Sequence, residues 1–140
     1  MKGMKLLQSL AARIAQMDDR ITEVFIHGDT PKDPLKSDEI FLICHVADPE
    51  INRDEQAFED AGYQWGLEIS EAVQPIAQEL GIEQEVIVNP FNFEMYNNGE
   101  YGQYYATLYL RDGYEPILDR ADRERKEQEE SFLNEAESEE

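Results

Sequence analysis

Between residues 25 and 46 the chain reads FIHGDTPKDPLKSDEIFLICHV. An apolar run closes on Gly28-Asp29, a loop stiffened by Pro31 and Pro34 follows, and Ser37-Asp38-Glu39 leads into a second apolar run. Two strands that present a glycine turn and carboxylates at their mouths are a common frame for metal-dependent phosphoryl transfer, in which the acids hold divalent cations. Spacing decides whether that chemistry is available. Side chains alternate along a strand, so two carboxylates share a face only at i and i+2. Counted from Asp38 that position is Ile40, and counted from Glu39 it is Phe41. Asp38 and Glu39 are adjacent and face opposite ways unless the strand bulges between them.

The elements that would position these residues follow from hydrophobic spacing. Residues 5 to 18 place Leu6, Leu7, Leu10, Ala11, Ile14 and Met17 on one helical stripe. ITEVFIHG, with Ile21, Val24, Phe25 and Ile26, is too apolar for a solvent-facing edge strand, and IFLICHV is apolar enough to be buried on both faces. From Asn52 to Leu80, apolar residues from Phe58 through Trp65, Ile69 and Val73 to Leu80 step by three or four, as in a long helix lying on a sheet. Pro75 is expected to kink that helix or divide it. Gly62 and Gly66 suggest a close helix–sheet contact, and Gly81 a C-terminal cap. EQEVIVNP reads as a third strand. Beyond it a short helix, an Asn97-Asn98-Gly99 turn and a closing helix carrying Tyr101, Tyr104, Tyr105 and Leu108 are expected. From Asp119 on, Asp119/Arg123 and Asp122/Lys126 can extend a helix. After Glu127 no base remains, so like-charge repulsion is expected to fray the end or disorder it.

This order of elements, with these residues, resembles the minimal nucleotidyltransferases of the DNA polymerase beta superfamily, including the antitoxins paired with helical HEPN-type toxins. His27-Gly28-Asp29 stands where that family has Gly-Ser, and Ser37-Asp38-Glu39 where its Ser-Asp-x-Asp begins. Glu85 stands at the third-strand acid, and Arg111-Asp112-Gly113 at the closing step. The resemblance covers roughly residues 5 to 118. It implies a nucleotide site at Gly28, Asp29 and Ser37, and magnesium ligands at Asp29, Asp38, Glu39 and Glu85, if activity is retained. The departures argue against retention: one carboxylate of the i, i+2 pair is missing. Asp29 also sets a negative charge where the family lets backbone N–H groups approach a triphosphate, a repulsion of several kcal/mol in a partly desolvated site. Taken singly each acid is ordinary in its place, Asp29 as a turn former before Thr30-Pro31 and Glu85 as the outward residue of an alternating strand.

Composition bounds the partners. Among 140 residues there are 32 acids and 12 bases, a formal net charge of −20. Nucleic acid and anionic membranes need Lys and Arg to displace their counterions, so direct contact with either is not expected. The acidity fits solubility, a salt-adapted proteome, or an inhibitor that mimics DNA. Cys44 is alone in an apolar run and reads as a core thiol. His27 and His45 have no neighbours at metal-ligand spacing. The opening helix is interrupted by Gln8, Arg13 and Gln16, so it reads as amphipathic and not as a signal peptide, and a cytoplasmic location is expected.

The expectation is therefore a small α/β (α+β) fold, a mixed sheet of three to four strands packed by helices. Residues 1–118 would form a nucleotidyltransferase-like domain and 119–140 an acidic helical or disordered tail. The expected function is binding of a basic protein by a catalytically degenerate member of this family, an antitoxin or regulatory subunit, without a cofactor. Phe132 and Leu133, the large apolar residues of the tail, would be the partner-binding anchor. The alternatives are an active metal-dependent nucleotidyltransferase modifying a partner protein, and an acidic DNA mimic inhibiting a nucleic-acid-binding protein.

Overall fold

The computed structural model describes residues 2–27, 38–92, 96 and 105–138. The fold is α+β: a mixed four-stranded sheet with helices packed on it. In chain order the elements are α1 (Lys2–Met17), β1 (Ile21–His27), β2 (Glu39–Val46), α2 (Glu55–Ala57), a π-helical turn (Phe58–Gly62), α3 (Tyr63–Glu79), β3 (Glu85–Pro90), β4 (Tyr105–Leu110) and α4 (Ile117–Ser138). The strands lie in the order β3-β2-β1-β4. β1 runs antiparallel to both β2 and β4, whereas β2 and β3 are parallel. The parallel pair is joined through α2 and α3, the crossover that parallel neighbours require.

One face of the sheet carries Val24, Ile26, Ile40, Leu42, Cys44, Val46, Val86 and Val88 against α1 (Leu7, Leu10, Ile14) and α3 (Trp65, Ile69, Val73). This is the main core. Cys44 is fully buried within it, and that burial pushes its thiol pKa up. The opposite face is covered at one end by a smaller cluster of Phe25, Ile43, Phe91, Ile117 and Leu118, in which the Phe25 and Phe91 rings meet edge to face at 6.0 Å. β1 is thus a central strand buried on both faces, as its continuous apolar run requires.

The glycines of α3 and its ends do what their positions suggest. A Cβ on Gly66 would lie 3.2 Å from the backbone oxygen of Val88, so this glycine lets the helix lie directly on β3. Gly81 has φ +81° and ends α3 in a Schellman arrangement, with Ile82 N–H donating to the Ala77 carbonyl and Gly81 N–H to that of Gln78. The π-helical turn ends at Gly62, where a Cβ would lie 3.4 Å from the Pro90 ring.

Three expectations are corrected. The segment carrying Tyr105 and Leu108 is strand β4, not a closing helix. Tyr, Thr and Leu suit a pleated surface, and β1 would otherwise expose an unpaired apolar edge, so pairing with β1 overrides the three-and-four spacing of the tyrosines. Tyr101, Tyr104 and the Asn97-Asn98-Gly99 turn lie outside the described residues. α3 is not divided at Pro75, which lies inside it. Pro75 and Glu71, whose carbonyl loses its donor, are both exposed, so water can replace the missing bond. A π-helical turn does interrupt the long helix, at Phe58–Gly62. Finally, the chain stays helical through Ser138 instead of fraying after Glu127. Arg120–Glu124 and Arg123–Glu127 pairs at i, i+4 brace its first half.

Candidate functional site

β2 decides which carboxylates can act together. Its residues alternate so that Ile40 is buried in the main core while Glu39 and Phe41 emerge on the other face, Phe41 at 44 % exposure. The residue two places beyond Asp38 is therefore in the core, and the one two places beyond Glu39 is an exposed phenylalanine. Across the parallel pair Glu39 lies in register with Glu85, and Phe41 with Ile87. Residues in register share a face, and neighbouring strands stand about 4.8 Å apart. The sheet thus brings together two of the expected ligands, Glu39 and Glu85, as exposed carboxylates at the strand entrances, with Phe41 and Ile87 behind them. Asp38 is exposed just before β2. Gly28, Asp29 and Ser37 lie outside the described residues. Among the described residues no group of three His, Cys, Asp or Glu side chains is placed to hold a metal ion.

Two adjacent carboxylates without a third can attract one hydrated cation, but a two-metal cage needs the second carboxylate of the i, i+2 pair. Phe41 occupies that place. The closing step Arg111-Asp112-Gly113 is a turn between β4 and α4, with Gly113 at φ +91°. The Arg111 side chain reaches away from this face: Nε donates to the Ile21 carbonyl at 2.8 Å and Nη2 to that of Ala15 at 2.9 Å. Its role is to tie α1 to β1.

The other end of the same face holds a polar group that the spacing argument passes over. Glu23, on the central strand, is fully buried. The Thr107 hydroxyl of β4 donates to its Oε2 at 2.6 Å, and the backbone N–H of Ile117, first residue of α4, donates to Oε1 at 2.6 Å. Burial pushes its pKa above the ordinary carboxylate value, partly offset by these two donors. Beside it the Thr22 hydroxyl and His45 Nδ1 share a 2.6 Å hydrogen bond. Burial, with the Arg120 charge adding to it, pulls the imidazole pKa down to about 4, so His45 is neutral at physiological pH. The signal in the sequence was present but unspecific: a Thr-Glu step inside an apolar strand.

α4 leaves the sheet immediately. Ile117, Leu118 and Ala121 are buried, the Tyr96 hydroxyl donates to Asp122, and from Arg123 to Ser131 every residue is exposed, as is Leu133. The expected anchor residues therefore lie on a projecting helix, where Leu133 is 60 % exposed; the Phe132 side chain lies outside the described residues. No helix among the described residues is long and apolar enough to cross a membrane. No protein-family model, curated protein or solved structure matches the chain.

Proposed function

We propose that this chain is a nucleotidyltransferase-like protein whose transfer chemistry is degenerate and which acts by binding a basic protein surface, as an antitoxin or regulatory subunit does. The observation that carries this reading is α4. It stands off the sheet with eight acids and four bases over Ile117–Ser138. Its arginines are engaged close by, Arg120 with Glu124, Arg123 with Glu115 and Glu127, and Arg125 with Asp122. Its last turns keep Glu129, Glu130, Glu135 and Glu137 and carry no base. A solvated acidic helix beside an exposed Leu133 offers a cationic surface both long-range attraction and an apolar contact. Phe41 supports the degenerate chemistry, since it stands where two-metal transfer requires a carboxylate.

The register of Glu39 with Glu85 favours one second reading, an active transferase that modifies a partner protein with magnesium held between those acids and Asp29. One experiment separates the two. The chain, with a basic protein that co-purifies with it, is incubated with labelled ATP and magnesium or manganese, and association is followed over a salt series. Binding alone predicts no metal-dependent label and an association rate that falls steeply from low to physiological salt, with dissociation changing less. Metal-dependent label on protein would establish the transferase. An association rate indifferent to salt would sink the electrostatic reading.

A further inference from the structure

We propose that Glu23 is a pH-sensitive latch that holds the acidic helix α4 on the sheet while protonated and lets it swing free as the carboxyl ionises. As regulation of partner binding this rests on the reading of α4 given above; as a movement within the molecule it does not.

The geometry is that of a clasp. Glu23 comes from the central strand, is fully buried, and has its two oxygens taken by two elements, Thr107 of β4 and the first N–H of α4. Among the described residues the remaining buried attachments of α4 are few: Ile117, Leu118 and Ala121, with the Tyr96–Asp122 hydrogen bond at the margin. Nothing past Asp122 up to Ser131 is buried. A small change at the clasp therefore decides the position of the whole helix.

Among the described residues no side chain around the carboxyl supplies a counter-charge, and the N-terminal N–H of α4 offsets the burial only in part. From β2 it is paired in register with His45, which is neutral and turned to Thr22. From β4 it meets the uncharged Thr107. From α4 it meets the Asp119 charge, which disfavours ionisation. Arg120, the first cation along that helix, acts on His45 and donates to Glu124. The neutral acid keeps both hydrogen bonds, since Oε1 still accepts from Ile117 while the proton on Oε2 is donated to the Thr107 hydroxyl. The ionised form keeps the same partners but holds a buried charge without a cation, an arrangement relieved when α4 lifts and water enters.

Linkage fixes the sign. The docked pKa is raised, and the undocked pKa returns toward the ordinary value of 4.5. In the interval between them the opening equilibrium of α4 rises by up to tenfold per pH unit, and it levels off above the docked pKa.

The test is amide hydrogen exchange on the full chain between about pH 4 and 8, corrected for intrinsic rates. It is read at Ile117 and Arg120 and, for the core, at Val24 and Phe25. Exchange at Ile117 and Arg120 should accelerate with pH while Val24 and Phe25 stay protected. Glu23→Gln, which keeps both hydrogen bonds and cannot ionise, should flatten that dependence. Thr107→Val, which removes a donor that favours the carboxylate, should extend the window to higher pH; it serves as the second variant should Glu23→Gln fail to fold. A pH dependence that survives in Glu23→Gln overturns the proposal, as does a window that stays in place in Thr107→Val, and so does opening of Val24 and Phe25 together with Ile117. A latch that opens on schedule in a chain whose partner association ignores salt would leave this inference standing and remove the function proposed for α4.

Discussion

Two carboxylates in this molecule answer to pH with opposite signs, and their surroundings explain why. Glu23 is enclosed by neutral donors and its pKa is raised, so what it contributes to stability weakens as pH rises. Asp18, between α1 and β1, has the Arg20 cation beside it. The Arg20 guanidinium donates to both its oxygens, at 2.9 and 2.7 Å, and Trp65 Nε1 donates at 2.9 Å. Arg20 also reaches Asp48. The Arg20 hydrogen bonds, aided by Trp65 and opposed by burial, hold the Asp18 carboxyl down to about 2 from 3.8. Its contribution is therefore complete above the unfolded pKa of 3.8 and is lost as pH falls toward about 2. Asp18→Asn should cost about 1–2 kcal/mol at neutral pH, screening by the half-exposed Arg20 included. Denaturant unfolding followed by Trp65 emission gives the measure. The gap between wild type and variant should narrow as pH falls from 3.8 toward about 2; a gap constant with pH would refute the assignment.

At the scale of elements, the sheet edge at β3 is closed by a helix and not by a strand. The Ser70 hydroxyl of α3 accepts from Val88 N–H at 2.9 Å and donates to the Val88 carbonyl at 3.1 Å, while Gln74 Nε2 donates to the Val86 carbonyl at 2.7 Å. These are the groups an added strand would use. Gly66, with no Cβ to hold the helix off Val88, is what allows two side chains of α3 to reach them. Ser70→Ala with Gln74→Ala should cost about 1–3 kcal/mol through unpaired backbone groups and leave an edge prone to self-association. Thermal melting and light scattering at several concentrations would show it; a variant as stable and as monodisperse as wild type would contradict the edge role. This edge was only half legible in the sequence. The apolar spacing of α3 and the two glycines announced a helix lying on a strand, but which polar side chains turn toward β3 depends on the helix's rotation. β4 was misread for a related reason: Tyr101, Tyr104, Tyr105 and Leu108 fit a helical stripe by spacing, and only the need of β1 for a second neighbour makes the segment a strand.

For the whole molecule the relevant quantity is how charge is distributed over the fold. Residues 127–140 carry seven acids and no base, so removing them takes the formal charge from −20 to −13. In that segment the described side chains up to Ser131, and Leu133, are exposed. Truncation before Glu127 should therefore leave the melting temperature within a few degrees, since surface changes away from packed features stay near 0.5 kcal/mol. The same truncation should slow association with a basic partner, with its salt dependence reduced. A melting temperature that drops by ten degrees or more would mean that the end of α4 stabilises the domain and is not a free arm.

The sequence by itself determined α1, the three apolar strands β1 to β3, the long helix over them and the acidity of the end, because each is written in local spacing and composition. It also determined that Asp38 and Glu39 have no carboxylate two residues on. Only the tertiary structure decided that Glu39 meets Glu85 and that Phe41 is exposed beside them, because strand register is a long-range property. It alone placed Glu23 under the first turn of α4, joining residues 94 apart in the chain. A buried carboxylate reads in sequence like any surface acid; what distinguishes it is what lies on top.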